Sequence, residues 1–402
     1  MQATVQTSAL RFAPTTARPQ VARAGVPRVA VPVARPQAPA FHSAVDRLAT
    51  SQRRVVAARA AAAEENNDAL EGAFVKLFGP KVGPVLVTGA FIAFWYALNV
   101  AFNLQNKSIY KFFPFPWTVS AVHVVVGAIY CGAMYLVGLK KASFGRPIDG
   151  DEFKAIVGPA TMHALGHIAA NISFAAVAIS LSHTVKTLEP AFSVVLQSIF
   201  LGQPTPLPVI MSLVPIIGGV AMASAAELSF NWTGFISAML SNLTFGFRAV
   251  LSKKAMNTIK NLDSTAIYAY TTLISCFVCV PAALVFEGPK LAAGMEQAIA
   301  TVGATKFYTS LAAVGLLYHL YNQFAFNTLG RVNPVSHGVC NVVKRVVIIY
   351  SSVLFFGNVL TPKTQMGTTI ALAGTALYTY LSGKYKHKPA PKAEGGAAPA
   401  SG

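Results

Sequence analysis

The stretch from Pro334 to Gly357, PVSHGVCNVVKRVVIIYSSVLFFG, is apolar for long enough to cross a bilayer. About 20 helical residues at 1.5 Å rise each suffice for that. Near its middle stand two adjacent cations, Lys344 and Arg345. An ionised side chain at the bilayer centre costs about 2.5–3.5 kcal/mol on the insertion scale. A membrane helix that keeps two of them must give them a partner or a use, and this pair constrains the whole chain.

Composition places the rest of the chain in the same environment. Of 402 residues, 54% are hydrophobic and 11% charged, and the mean hydropathy is +0.52. That is a polytopic membrane composition. The formal net charge is +18. Its cations lie in short loops, tails and helix centres, so membrane lipids and anionic solutes are the expected partners and nucleic acid is not. The four cysteines, Cys131, Cys276, Cys279 and Cys340, all fall in apolar runs. Cys276 and Cys279 spell C-x-x-C, but no second pair or flanking His completes a metal site. They read as packing residues, and no metal or cofactor is expected.

Residues 1–62 differ in kind. The first 60 carry nine arginines against one acid, Asp46, and no long apolar core. They are expected to be a disordered, removable plastid transit peptide. After a short amphipathic lead-in, Phe74 to Phe78, ten apolar spans follow: 83–106, 116–139, 153–178, 181–201, 206–226, 231–255, 264–286, 304–328, 335–357 and 363–383. Between the third and fourth the apolar stretch is nearly continuous, and length alone requires two helices. Elsewhere Gly and Pro mark the breaks, as in Gly202-Gln-Pro204 and Gly288-Pro289. Residues 386–402 read as a disordered tail.

An even number of spans puts both termini on one side. Outside the leader and the helix centres, that side holds fourteen Lys and Arg, against five on the other: Lys107, Lys111, Lys290, Lys306 and Lys363. The bias makes the terminal side the inside. The fourth and fifth spans echo the ninth and tenth. Ser182-His183 recurs as Ser336-His337, 154 residues on, and Gly202 and Gly219 recur as Gly357 and Gly374, each 155 residues on. The expected fold is therefore an all-α membrane protein of ten transmembrane helices in two inverted five-helix repeats, 75–226 and 231–385. Secondary transporters built this way hold their substrate near the midplane, between the halves.

Away from the ends of the spans there are four cations, Lys186, Arg248, Lys344 and Arg345, and one acid, Glu189. Lys186 can pair with Glu189 across one turn, snorkel to the surface, or face a ligand. Pro190 has no N–H, so the carbonyl of Lys186 loses its helical partner and the backbone can bend there. Lys344 and Arg345 have no acid within four residues. Arg248 can snorkel or make a further anion contact. The surplus of positive charge calls for an anion. A phosphate fits it best, since Arg offers a planar fork and Lys a point charge. His167 and Asn171 share a face of the third span. Tyr318, His319, Tyr321, Asn322 and Gln323 cluster in the eighth. Both groups can donate hydrogen bonds to hydroxyls or to a second anionic end, although a membrane His also serves between helices. His123, His163, His183 and His337 read as structural. No base, nucleophile or metal constellation supports catalysis, so an enzyme acting on phosphorylated lipid is disfavoured.

At SFAAVAISLSHTVKTLEPAFSVVLQSIF and LYNQFAFNTLGRVNPVSHGVCNVVKRVVIIYSSVLFFGN the chain resembles the plastidic phosphate translocator family of the drug/metabolite transporter superfamily. The likeness runs from about 75 to 385 and is carried by the K-x-x-E-P and K-R elements. It implies ten helices in two inverted halves and exchange of inorganic phosphate for phosphorylated metabolites; with the leader and the surplus of buried positive charge, the expectation is an obligate antiporter of the plastid inner envelope. It implies phosphate binding by Lys186, Lys344 and Arg345. His167, Tyr321 and Arg248 would line the substrate, with Phe245 as an aromatic wall. Ala169-Ala170 departs from the small hydroxyl residues common in relatives, which puts one phosphate hydrogen bond in doubt. The stretches Phe174-Ala175-Ala176 and Asn327-Thr328-Leu329 look triose-type. The implied partners are thus inorganic phosphate, triose phosphates and 3-phosphoglycerate, with a homodimer as an option. The alternatives are translocation of hexose phosphate, pentose phosphate or phosphoenolpyruvate, or a nucleotide-sugar carrier of the same superfamily.

Overall fold

The computed structural model describes Gly72 and residues 74–386, apart from 81, 140–142, 203, 256–257, 260–261 and 333. The expected transit peptide and the tail from 387 onward lie outside the described residues.

The described chain is helical, with no strand among the described residues. In order the helices are α1 (Gly83–Ile109), α2 (Pro116–Leu136), α3 (Gly150–Ala176), α4 (Ile179–Val185), α5 (Glu189–Leu201), α6 (Leu207–Met211), α7 (Leu213–Ala226), α8 (Trp232–Ala255), α9 (Ser264–Phe286), α10 (Gly288–Val302), α11 (Ala304–Arg331), α12 (Pro334–Phe356) and α13 (Pro362–Lys386). A 3-10 turn, Lys186–Leu188, joins α4 to α5.

Local chemistry sets the ends. Asp149 caps α3, its Oδ1 accepting from the N–H of Asp151 at 3.0 Å and of Glu152 at 2.8 Å. Glu152 returns a bond to the Asp149 N–H, which completes a capping box. Asp263 caps α9 in the same way, through Thr265 and Ala266. The break required between the third and fourth spans falls at Val177, where the backbone turns extended (φ −131, ψ 171). Gly202 after α5 and Gly357 after α12 both take positive φ, 60° and 66°, as helix-terminating glycines do.

Six helical stretches are long and apolar enough to cross a membrane: Gly83–Ile109, Pro116–Leu136, Leu207–Ala226, Trp232–Ala255, Ser264–Phe286 and Val335–Phe356. The pair Gly288–Val302 and Ala304–Thr328, bent by 109°, makes a seventh if taken as one span. α3 and α11 carry many of the polar residues: His163, His167 and Asn171 in one, Tyr318, His319, Asn322 and Gln323 in the other. Polar groups that line an interior cavity lower the apolar character of the helices bearing them.

One segment departs from the expected pattern. The break between the seventh and eighth spans, marked by Gly288-Pro289, is filled by α10. Its Leu291, Met295, Ile299 and Val302 recur at helical spacing and pack on an aromatic cluster built from Phe102, Phe113, Phe307 and Tyr318. Phe113 lies 4.7 Å from Phe115 and 5.2 Å from Phe307, ring to ring.

The closest helix crossing is α7 on α13. A Cβ on Gly219 would stand 2.5 Å from the Ala371 nitrogen, and one on Gly367 would stand 2.5 Å from the Ala223 nitrogen. Neither backbone can retreat. Gly219→Ala is therefore expected to destabilise the protein by about 1–3 kcal/mol through overpacking. Gly218→Ala, where nothing lies within 4 Å, should be neutral or stabilise by up to about 1 kcal/mol through helix propensity. Thermal midpoints in detergent check the opposite signs.

Candidate functional site

The site starts from the interruption at Lys186. Pro190 cannot donate, so the Lys186 carbonyl accepts from the Glu189 N–H instead, one residue early. The helix tightens for three residues and restarts at Glu189. This releases the Lys186 side chain inward. Its Nζ donates to Ser241 Oγ at 3.3 Å and lies 5.0 Å from the Phe245 ring and 5.8 Å from the Phe174 ring. The i, i+3 pairing of Lys186 with Glu189, open on sequence grounds, is not the one formed. Glu189 Oε2 accepts instead from Arg345 Nη2 at 3.0 Å, from a helix 156 residues away. Arg345, with no acid nearby in sequence, thus has one in space.

Lys344 points along the same side. Its Nζ donates to Asn341 Oδ1 at 3.1 Å and sits 4.8 Å above the Trp95 ring. Arg248 donates from Nη1 to His163 Nδ1 at 2.9 Å and lies 5.0 Å from the Phe245 ring. Lys186 and Arg248 therefore share one aromatic ring, whose negative face offsets part of their desolvation.

All four cations line a single cavity of about 770 Å³. So do the other residues singled out from the sequence, His167, Tyr321 and Phe245, and the acid Glu189. Tyr318 and Asn322 join them, while His319 turns away to Cys131, at 3.5 Å, and stacks on Tyr268. Asn171 also stays off the cavity wall. Its Oδ1 accepts from Asn106 at 2.8 Å and from the Tyr110 hydroxyl at 3.0 Å. His163, His183 and His337, read as structural, all line the cavity, whereas His123 holds His167 from behind at 3.2 Å.

Several lining residues were missed: Trp95, Asn99 and Asn103 on α1, Tyr268 on α9 and Asn341 on α12. Asn99, Asn103 and Asn106 recur at i, i+4 and i+7 in an apolar span, which marks one polar face. Asn103 donates to Asn99 and accepts from His183 Nε2 at 2.9 Å. Three donor atoms of lining residues are buried out of solvent contact and have no partner among the described residues: Arg345 Nη1, Trp95 Nε1 and the Tyr268 hydroxyl.

The cavity runs toward one end of the bundle. Its lining takes in Gln197, Ser252, Ile267 and Thr379. Lys253 bonds Gln197 there, and Thr379 packs against Gly338. At the opposite end Lys107 Nζ donates to the carbonyls of Phe174 and Val177, each at 2.8 Å, and of Ala175 at 3.4 Å. A cation thus offsets the C-terminal carbonyls of α3 and ties α1 to that end of the helix.

Comparison with known proteins identifies the family of the chain. Residues 86–379 match the Triose-phosphate Transporter family. The chain is 48% identical over 342 residues to the "Triose phosphate/phosphate translocator, chloroplastic" of Zea mays, covering 85% of this chain and 81% of that one. It is 50% identical over 306 residues to the protein of the same name from Spinacia oleracea, covering 76% and 74%. It is 42% identical over 317 residues to the "Phosphoenolpyruvate/phosphate translocator 1, chloroplastic" of Oryza sativa subsp. japonica, covering 78% and 76%.

The Arg345–Glu189 pair gives a test independent of any ligand. The two side chains are 15% and 32% exposed. Glu189→Ala leaves a half-hidden guanidinium without its carboxylate and is expected to cost about 1–3 kcal/mol. Adding Arg345→Met should restore most of that loss. Unfolding midpoints of the two variants, measured without phosphate, check the recovery.

Proposed function

Because the chain belongs to the Triose-phosphate Transporter family, we propose that it is an obligate antiporter. It exchanges inorganic phosphate for triose phosphates and 3-phosphoglycerate across the chloroplast inner envelope. The observation that carries this reading is the convergence of Lys186, Arg248, Lys344 and Arg345 on one cavity against the single carboxylate of Glu189. Lys186, Lys344 and Arg345 hold the phosphate. His167, Tyr321 and Arg248 take the other end of the substrate, with Phe245 as the wall between. The protein carries its substrate without transforming it and needs no cofactor.

The reading includes ten spans in two inverted halves of five. Helix pairing supports it. Exchanging the halves turns the α3–α8 contact into the α1–α11 contact and leaves the α7–α13 crossing on itself. Within that crossing, Gly219 against Ala371 becomes, 155 residues displaced, Gly374 against Ile216, and both contacts are made. With ten spans and the positive-inside bias, both termini face the stroma. The names of the relatives support the chloroplast.

Obligate exchange follows from electrostatics. A cavity with several cations and one acid is costly to seal from water on both sides while empty. A bound phosphate dianion neutralises the surplus, so only the loaded carrier crosses between its two open forms. Lys107, bonded across the deep end, holds one gate shut in the form described here.

Lys186→Ala and Lys344→Ala should each weaken phosphate exchange in proteoliposomes by about 2–5 kcal/mol, or roughly 30-fold or more, while the purified protein stays monodisperse. Retained exchange in both variants contradicts the assignment. External phosphoenolpyruvate, hexose phosphate and pentose phosphate, run against phosphate-loaded vesicles, separate this substrate range from those of its relatives.

A further inference from the structure

We propose that His163 is a positioning residue that orients Arg248 and Tyr318 as paired donors and so selects substrates with a second polar end opposite the phosphate. The inference rests on the transport reading above and deepens it.

His163 is 4% exposed and sits on α3 between α8 and α11. Arg248 Nη1 approaches its Nδ1 at 2.9 Å, and the Tyr318 hydroxyl approaches its Nε2 at 3.0 Å. A guanidinium has only donors, so Nδ1 must accept. The ring hydrogen then stands on Nε2 and donates to the Tyr318 oxygen. That leaves the phenolic O–H of Tyr318 as a donor with no acceptor among the described residues. Both Tyr318 and Arg248 line the cavity. One imidazole therefore fixes the hydrogen-bond direction of two separate groups, and both end up donating toward the same space.

The rest of the surroundings fits that role. The Tyr318 ring is held 4.1 Å from the His167 ring, which fixes the place of its hydroxyl oxygen. Arg248 and Lys186 are each 5.0 Å from the Phe245 centroid, which sets them no more than about 10 Å apart. A three-carbon chain with a phosphate at one end and a carboxylate or carbonyl at the other is the size of ligand that two such poles can hold. Bare phosphate reaches only the first pole. The nearest aromatic neighbours of His163 are Phe245 at 6.1 Å and Tyr268 at 6.3 Å, ring to ring. The two polar contacts, and not stacking, therefore fix its orientation.

The test uses vesicles loaded with phosphate and supplied outside with phosphate, dihydroxyacetone phosphate or 3-phosphoglycerate. His163→Leu should raise the half-saturating concentration of 3-phosphoglycerate by about ten-fold or more, and leave that of phosphate within about two-fold. His163→Asn, whose amide oxygen still accepts from Arg248, should recover part of the loss. In an Arg248→Ala, Tyr318→Phe background, His163→Leu should add nothing, because His163 acts only through those two groups. If His163→Leu does not reconstitute, His163→Gln, which moves the acceptor off the Nδ1 position, should show the same selective loss. An equal loss for all three substrates, or a further loss from His163→Leu in the Arg248→Ala, Tyr318→Phe background, overturns the inference alone. Wild-type vesicles that exchange none of the three overturn the transport reading, and this inference with it.

Discussion

Four ionised side chains share the interior of a bundle whose outside faces lipid, and the protein sets one carboxylate against them. The rest of the structure answers that imbalance. Phe245 lies against Lys186 and Arg248, Trp95 lies under Lys344, and Glu189 crosses to Arg345. A desolvated cation–π contact is worth about 2 kcal/mol, and a buried pair returns part of its desolvation cost. These contacts make the charges tolerable without cancelling them. What remains is a positive space, which the proposed function fills with a phosphate dianion.

The helices are shaped to keep that space open. Pro190 breaks the fourth span where Lys186 must turn inward. The asparagine face of α1 supplies amides where an all-apolar helix would supply none. The backbone contact of α7 with α13 at Gly219 and Gly367 gives the bundle a tight, dry crossing away from the polar cavity. Lys107 bridges α1 to the carbonyls that Val177 frees by leaving the helix. Pro190 and the asparagine face of α1 put irregular backbone and polar side chains where they line the cavity and not where they would meet lipid.

The cations were legible because a charge in an apolar run stands out and has few places to go. Lys186, Arg248, Lys344 and Arg345 needed no tertiary information to be noticed, and they do share one cavity. The partner of Glu189 was not legible. Local spacing offered Lys186 three residues away, whereas the partner formed lies 156 residues away. Trp95 and Asn99 went unmarked because neutral residues in a span carry no obvious penalty, although the i, i+4, i+7 spacing of Asn99, Asn103 and Asn106 was there to read. α10 was hidden between Gly288 and Gly303, where turn residues at both ends masked the four-residue period of Leu291, Met295 and Ile299. His163 reads as structural from the sequence, because its two partners come from helices far along the chain.

A structure of the purified protein in lipid nanodiscs, determined with saturating phosphate, tests the central claim most directly. The account requires one anion within hydrogen-bonding reach, about 2.7–3.2 Å, of Lys186 Nζ, Lys344 Nζ and the Arg345 guanidinium at once. An anion held elsewhere, with these three side chains turned separately toward lipid headgroups, would contradict it.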